Sequence, residues 1–341
     1  MPSASPGRAH PEQPHLADRL PVPGPVLHER GDPDPPRARD AHAAGRRQLL
    51  LVTAAAAPIT PDTPPPTGAS VQLPLQEARE GHEGYVFDNA NTQAVEQHRC
   101  LAASLDPITT SRLAATGVRA GWNCLEVGAG GGSVARWLAE RVAPTGEVVA
   151  TDIDPAHLRA RPGLRVLRHD VVRDPLPEEA FDLVHARLVL LHLPERQAVL
   201  AKLVRALRPG GLLQLDEFDI DYGPVLLAPS RDAAELYERF LAAKARMFAD
   251  AGADGSWGRH AAAAMRAAGL ADIDPVPYLM PWRAGSPGVD LLIHHTHHLR
   301  DRLIAAGLTD AQLAEVREVM RHPDFRASSC AIYSVQGRRP R

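Results

Sequence analysis

The chain has 341 residues and a formal net charge of −3. No Lys/Arg cluster interleaves with aromatics, which argues against nucleic acid and toward a small-molecule partner. Its three cysteines, Cys100, Cys124 and Cys330, are too few and too scattered for a disulfide framework or a zinc site, so a reducing compartment, the cytoplasm, is expected.

Half of the 32 prolines precede Leu75, and residues 1–80 show no sustained apolar period, so they are expected to form a Pro-rich disordered tail. Within it, Arg46 to Ala57 looks like a short signal sequence, with a basic flank, an apolar run and small residues. It starts too far along the chain for one, and the run falls well short of the ~20 residues that cross a bilayer, so no membrane partner is expected. Residues 81–337 suit one α/β domain, with N-terminal helices over 81–120, a strand-rich core over 121–220, a helical region over 221–325 and a last strand over 326–337.

From Thr92 to Leu105, Val95, His98, Leu101, Ala102 and Leu105 recur at helical spacing. Asp106-Pro107 then reads as the cap and first residue of a second helix, Ile108 to Ala115, closed by Gly117. Cys124 to Val127 is an apolar strand that runs into Gly128-Ala129-Gly130-Gly131-Gly132, and Val134 to Val142 follows as a helix. Further strands are expected over 146–152, 164–168, 181–187 and 212–217, with a short helix from Pro155 and a longer one over 195–207. Beyond them come helices over 231–250, 261–268, 289–305 and 309–320, and strands over 271–278 and 328–336. Strands alternating with helices imply right-handed crossovers and a doubly wound, mostly parallel, seven-stranded sheet. Such sheets bind ligands beyond the carboxyl ends of their strands, where Glu126, Asp152, Asp170 and Arg187 fall.

The glycine turn offers bare backbone amides and a helix N-terminus to an anionic or zwitterionic ligand. Gly128-x-Gly130 with an acid ending the next strand also describes a nicotinamide site. Ser133 stands where that fingerprint has its third glycine, and the strand follows two helices instead of opening the domain, so the nicotinamide reading is set aside. Leu125 to Gly132, Ala150-Thr151-Asp152-Ile153-Asp154, His169-Asp170, Phe181-Asp182-Leu183-Val184 and Leu207-Arg208-Pro209-Gly210-Gly211 together resemble the successive motifs of class I S-adenosylmethionine-dependent methyltransferases. The flanks, Tyr85-Val86-Phe87-Asp88-Asn89, Glu96 to Arg99 and Gly258-Arg259, are similar to bacterial ubiquinone-type and natural-product small-molecule methyltransferases.

The resemblance makes 81–337 a methyltransferase domain, with 121–220 its cofactor-binding core and 221–325 its substrate or lid region. It implies that Gly128, Gly130 and Gly132 let the backbone approach the methionine part of S-adenosylmethionine and that Glu126 organises the loop and meets its ammonium. It also implies that Asp152 takes the ribose hydroxyls, Ile153 packs on the adenine and Asp170 accepts from the adenine amine, with Ala129, Val171 and Arg187 completing the cofactor set. Asp154 is a rival to Asp152 for the ribose.

Methyl transfer from a sulfonium needs positioning more than side-chain chemistry, and a base only if the acceptor holds a proton. Glu217, His185 and His192, near the ends of the fourth and fifth strands, are the candidate bases. His294 and His298 share a helix face at i, i+4, but no ligand set completes a metal site, so they are placed with Tyr85, Phe87 and Trp257 in the substrate or lid region and no metal is expected. Tyr222, Tyr278 and Trp282 are further candidates for the pocket wall. The expected activity is O-, N- or C-methylation of a small molecule, such as a secondary metabolite or quinone-like ring, with a homodimer as the assembly considered. A non-catalytic cofactor-binding sensor or assembly protein, and a protein or RNA methyltransferase, are the alternatives.

Overall fold

A computed structural model of the chain describes residues 94–341. The expected tail, the signal-like run, Tyr85 and Phe87 lie outside the described residues. In chain order the elements are α1 (Ala94–Ala115), β1 (Asn123–Val127), α2 (Ser133–Val142), β2 (Glu147–Asp152), β3 (Leu164–Arg168), β4 (Phe181–Arg187), α3 (Arg196–Ala206) and β5 (Leu207–Asp219). They continue with β6 (Val225–Leu227), α4 (Arg231–Asp250), α5 (Trp257–Ala267), β7 (Ala271–Tyr278), β8 (Pro281–Arg283), α6 (Pro287–His298), α7 (Arg300–Ala305), α8 (Asp310–Arg321), β9 (Arg326–Ser328) and β10 (Ala331–Arg338).

The first five strands are parallel, and the sheet order is β3-β2-β1-β4-β5-β10-β7, with β10 antiparallel to both of its neighbours. The chain winds outward from β1 to β3 and then crosses to β4 on the other side of β1. The switch point, where parallel sheets bind their ligands, thus lies between β1 and β4. Both faces are covered, so the inner strands read as near-continuous apolar runs. Leu125, Val184 and Leu213 face the layer built with α3 and α5, while Cys124, Leu183 and Leu212 face α2. A third apolar cluster joins α4, α6, α7 and α8 outside the sheet, centred on Tyr237, Phe240 and Phe325.

The strands expected over 164–168, 181–187 and 271–278 are present with those bounds. Four expectations are corrected. Asp106-Pro107 does not divide two helices: α1 is one helix with Pro107 inside it. The carboxylate expected to cap the second helix is instead turned sideways, its Oδ1 accepting from Arg187 Nη1 at 2.9 Å and Ser133 Oγ at 3.0 Å. An interior proline costs about 3 kcal/mol, and α1 is held across it by packing on α2, α6 and β10. The helix expected from Pro155 is a single 3-10 turn, Pro155–His157. The helix expected over 289–305 divides at Leu299 into α6 and α7. The last expected strand, 328–336, belongs to two sheets: β9 pairs with β6 and β8 in a small antiparallel sheet, and β10 joins the large one. Among the described residues no helix is long and apolar enough to cross a membrane.

Candidate functional site

β1 runs straight into the glycine turn because both of its faces are buried and its next residue, Gly128, adopts φ +63°. A Cβ on Gly128 would lie 2.5 Å from Val189 Cγ2, so the segment after β4 packs directly on the turn. The Gly130 amide, at φ +52°, donates to Asp152 Oδ2 at 2.8 Å, and the Asp154 amide donates to Oδ1 at 3.0 Å. Asp152 therefore ties the end of β2 to the end of β1. A carboxylate oxygen has about two lone-pair sites, so each can still accept from a ligand hydroxyl. Burial raises the pKa of Asp152, and the amides of Asp154 and Gly130 act against that rise. Asp154, the rival, caps the 3-10 turn by accepting from the Ala156 amide at 3.3 Å.

These groups open into a cavity of about 750 Å³. Ala129, Ile153, Asp170, Val171 and Arg187 line it, and so does His192. Asp170 sits in a turn of its own, its Oδ1 accepting from the Val172 and Arg173 amides at 2.9 and 3.3 Å. Arg187 reaches from β4 to α1, where Nη1 donates to Asp106 and, at 3.2 Å, to Thr109 Oγ1. Opposite the strand ends, the wall is built by His98 and Leu101 of α1, Lys244 and Phe248 of α4, Leu291 and Leu292 of α6, and Trp282 of β8.

Several predicted residues do not reach this cavity. Glu126 is 3% exposed and lies beneath the turn, where its Oε2 accepts from His185 Nδ1 at 2.7 Å. His185 is fully buried and its Nε2 lies 3.2 Å from Asp216 Oδ2. Burial alone would lower its pKa; the carboxylates of Glu126 and Asp216 outweigh burial and raise it to about 9. The ring is an imidazolium held at both nitrogens, so it has no lone pair with which to act as a base. The reason is register: Glu126, His185, Gln214 and Gln336 stand opposite one another on adjacent strands. Gln336 Nε2 donates to Gln214 Oε1 at 2.8 Å, which carries the polar row across the sheet.

Glu217 is also buried, with Oε1 accepting from the Leu190 and Val189 amides at 2.8 and 3.3 Å. Burial pushes its pKa up to about 8 against those amides, so it is a neutral acid that anchors the segment after β4. It does not line the cavity. Of the three candidate bases only His192 lines the cavity. Burial, followed by the Lys244 charge, holds it near pKa 4 as a neutral imidazole, and its ring lies 5.6 Å from that of Phe248.

Trp257 is 2% exposed in the apolar layer under the sheet, because α5 packs on β5, β7 and β10 and does not form a lid. His298 Nδ1 meets Gln97 Oε1 at 3.0 Å and joins α6 to α1, and His294 does not line the cavity. His295, between them, does. Gly132 is the left-handed N-cap of α2, covered by Leu158, and does not contact the cavity. Among the described residues no group of His, Cys, Asp or Glu is placed to hold a metal.

The sequence reading missed Lys244 and Phe248. Phe240, Lys244 and Phe248 follow at i, i+4, i+8 on the face of α4 that also carries the buried Tyr237. A lysine on an apolar stripe was the available signal.

Residues 125–215 match the family model described as a methyltransferase domain. Over that segment the chain is similar to methyltransferase domains. Methyltransferase str2 of Strobilurus tenacellus is 39% identical over 97 residues, which are 28% of this chain and 35% of that protein. The ubiquinone/menaquinone biosynthesis C-methyltransferase UbiE of Cupriavidus necator is 34% identical over 122 residues, 33% of this chain and 50% of that protein. The chain thus spans between about a third and a half of these relatives. The structure of the YcgJ protein from Bacillus subtilis covers 72% of this chain and 99% of its own, at 17% identity and a TM-score of 0.46.

Proposed function

We propose that this protein transfers the methyl group of S-adenosylmethionine to an oxygen, nitrogen or carbon of a small molecule, a secondary metabolite or quinone-like ring. The observation that carries the reading is the way one cavity joins two kinds of lining. At one end it has the glycine turn with Asp152, Ile153 and Asp170, and at the other the apolar walls of α4 and α6. The cofactor end fits the group chemically. Gly128 and Gly130 hold the left-handed backbone of the turn without side chains, Asp152 keeps acceptor sites for two hydroxyls, Ile153 gives an apolar face and Asp170 an acceptor for a ring amine.

S-adenosylmethionine would supply a methyl group on a leaving group that needs no further activation. The chain's share is to hold, orient and exclude water. The segment after β4, pinned by Glu217, packs Val189 against the glycine turn. His192, neutral and facing the cavity, is the group able to take a proton from an acidic acceptor. A cytoplasmic location is part of this reading and is supported by free thiols at Cys100, Cys124 and Cys330.

The test is formation of S-adenosylhomocysteine when the full chain is incubated with S-adenosylmethionine and a small-molecule metabolite extract. We expect product that depends on the extract and is lost in Asp152→Ala. Product equal in the wild type and in Asp152→Ala, or none in any extract, would count against the reading.

A further inference from the structure

The wall of the cavity away from the glycine turn carries a basic side chain, Lys244, with no counter-charge among the described residues. Lys244 projects from the buried face of α4, where its ammonium lies 5.7 Å from the centre of the Phe248 ring. Phe248 in turn lies beside His192, and His295 of α6 completes the basic part of this wall. Among the described residues no carboxylate forms an ion pair with Lys244. The acids that line the cavity are Asp106, Asp152 and Asp170. Asp106 is occupied by Arg187, and the other two end β2 and follow β3, on the glycine-turn side. The nearby thiol of Cys330 is pushed up by burial, so it stays neutral and gives Lys244 no negative partner. The rest of this wall is Trp282, Leu291 and Leu292.

Burial lowers the pKa of Lys244, and with no carboxylate paired to it among the described residues, an anion that enters beside it favours the charged ammonium and recovers the lost interaction. The same wall repels a cation: an alkylammonium would meet Lys244 and find no carboxylate. The two imidazoles on this wall, His192 and His295, are kept neutral by burial, so neither adds a charge beside Lys244.

We propose that the methyl acceptor of this cavity is an apolar, ring-bearing acid that enters with its carboxylate on Lys244, flanked by His192 and His295, and that amine acceptors are excluded. This names the substrate class of the methyltransferase reading above and rests on it. Lys244 is assigned as a substrate-binding residue, and the ring sits among Phe248, Trp282 and Leu292.

Isothermal titration of the full chain, first with S-adenosylhomocysteine and then with phenylacetate, phenylacetamide or 2-phenylethylamine, tests it. The acid should bind at least about 10-fold tighter than the amide, and the amine should bind weakest. Lys244→Met should remove the preference for the acid while S-adenosylhomocysteine still binds as in the wild type, which also reports that the variant is folded. Lys244→Arg should keep the preference. Equal binding of acid and amide, tightest binding of the amine, no binding of the acid, or a preference that survives Lys244→Met would overturn the proposal. The first titration separates the two readings. A chain that binds the acid through Lys244 but gives no heat with S-adenosylhomocysteine keeps the anion site and loses the cofactor. Binding of S-adenosylhomocysteine with no preference for the acid does the reverse.

Discussion

His185 Nδ1 donates to Glu126 Oε2 at 2.7 Å, and the two residues face each other directly across β1 and β4 beneath the cavity floor. Asp216 takes the other nitrogen, so a fully buried imidazolium lies between two carboxylates. Its pKa, about 9, is above the usual value of 6.5. A raised folded pKa means stability that is fully present below 6.5 and lost as the pH climbs through 9.

The alkaline limb of stability should therefore fall by about 3 kcal/mol from this group, and Glu217, raised from 4.5 to about 8, adds its own loss between those values. Urea unfolding at pH 6.5 and pH 9.5 measures it. His185→Gln leaves two buried carboxylates without their cation, so it should cost about 3 kcal/mol at neutral pH and flatten the limb. A limb as steep in the variant as in the wild type would contradict this assignment.

Below neutrality the sign reverses. His98, lowered by burial and then by His157 and His298, and His192, lowered by burial and then by Lys244, both fall to about 4. Their neutral forms stabilise the fold above pH 6.5, and that contribution is lost as the pH drops through 4. Stability should thus peak near neutrality, and His192→Gln should shrink the acid limb. A monotonic rise in stability down to pH 4 would rule this out.

Glu217 is an anchor, so Glu217→Gln, whose amide oxygen accepts the same two backbone donors, should change stability by less than about 1 kcal/mol. Turnover should stay within a few-fold of wild type. Glu217→Ala orphans the Leu190 and Val189 amides and opens a void, and should cost about 2 to 4 kcal/mol. Loss of turnover by about 100-fold or more in the Gln variant would restore Glu217 as a base.

Gly128→Ala places a Cβ at φ +63° and 2.5 Å from Val189 Cγ2. Left-handed backbone strain and the clash together should cost about 2 kcal/mol in urea unfolding. Adding Val189→Ala should recover part of it. No recovery would mean that the clash is not with Val189.

Local pattern was enough for most of the sheet, because each inner strand is a short apolar run bounded by turn residues and ending in a polar side chain. Asp152 and Asp170 could be placed at the cavity for the same reason. What the sequence hid depends on contacts far along the chain. Whether Pro107 breaks a helix depends on the packing of α1 against α2, α6 and β10, and Asp106 pairs with Arg187 from β4 instead of capping. The strands β6, β8 and β9 have three residues each and exist only as partners of one another. Glu126 and His185 look like site residues singly, and only the register of β1 with β4 shows that they neutralise each other. Lys244 stood in plain view on an apolar helix face but has meaning only once α4 is known to wall the cavity.

Whether the glycine turn and Asp152 hold S-adenosylmethionine is tested most directly by isothermal titration with S-adenosylhomocysteine. Wild-type protein should bind in the micromolar range, and Asp152→Ala combined with Gly130→Val, which removes both hydroxyl acceptors and fills the turn, should show no measurable heat while remaining folded. A folded wild-type sample that gives no heat, or a double variant that binds as tightly as the wild type, would contradict that role.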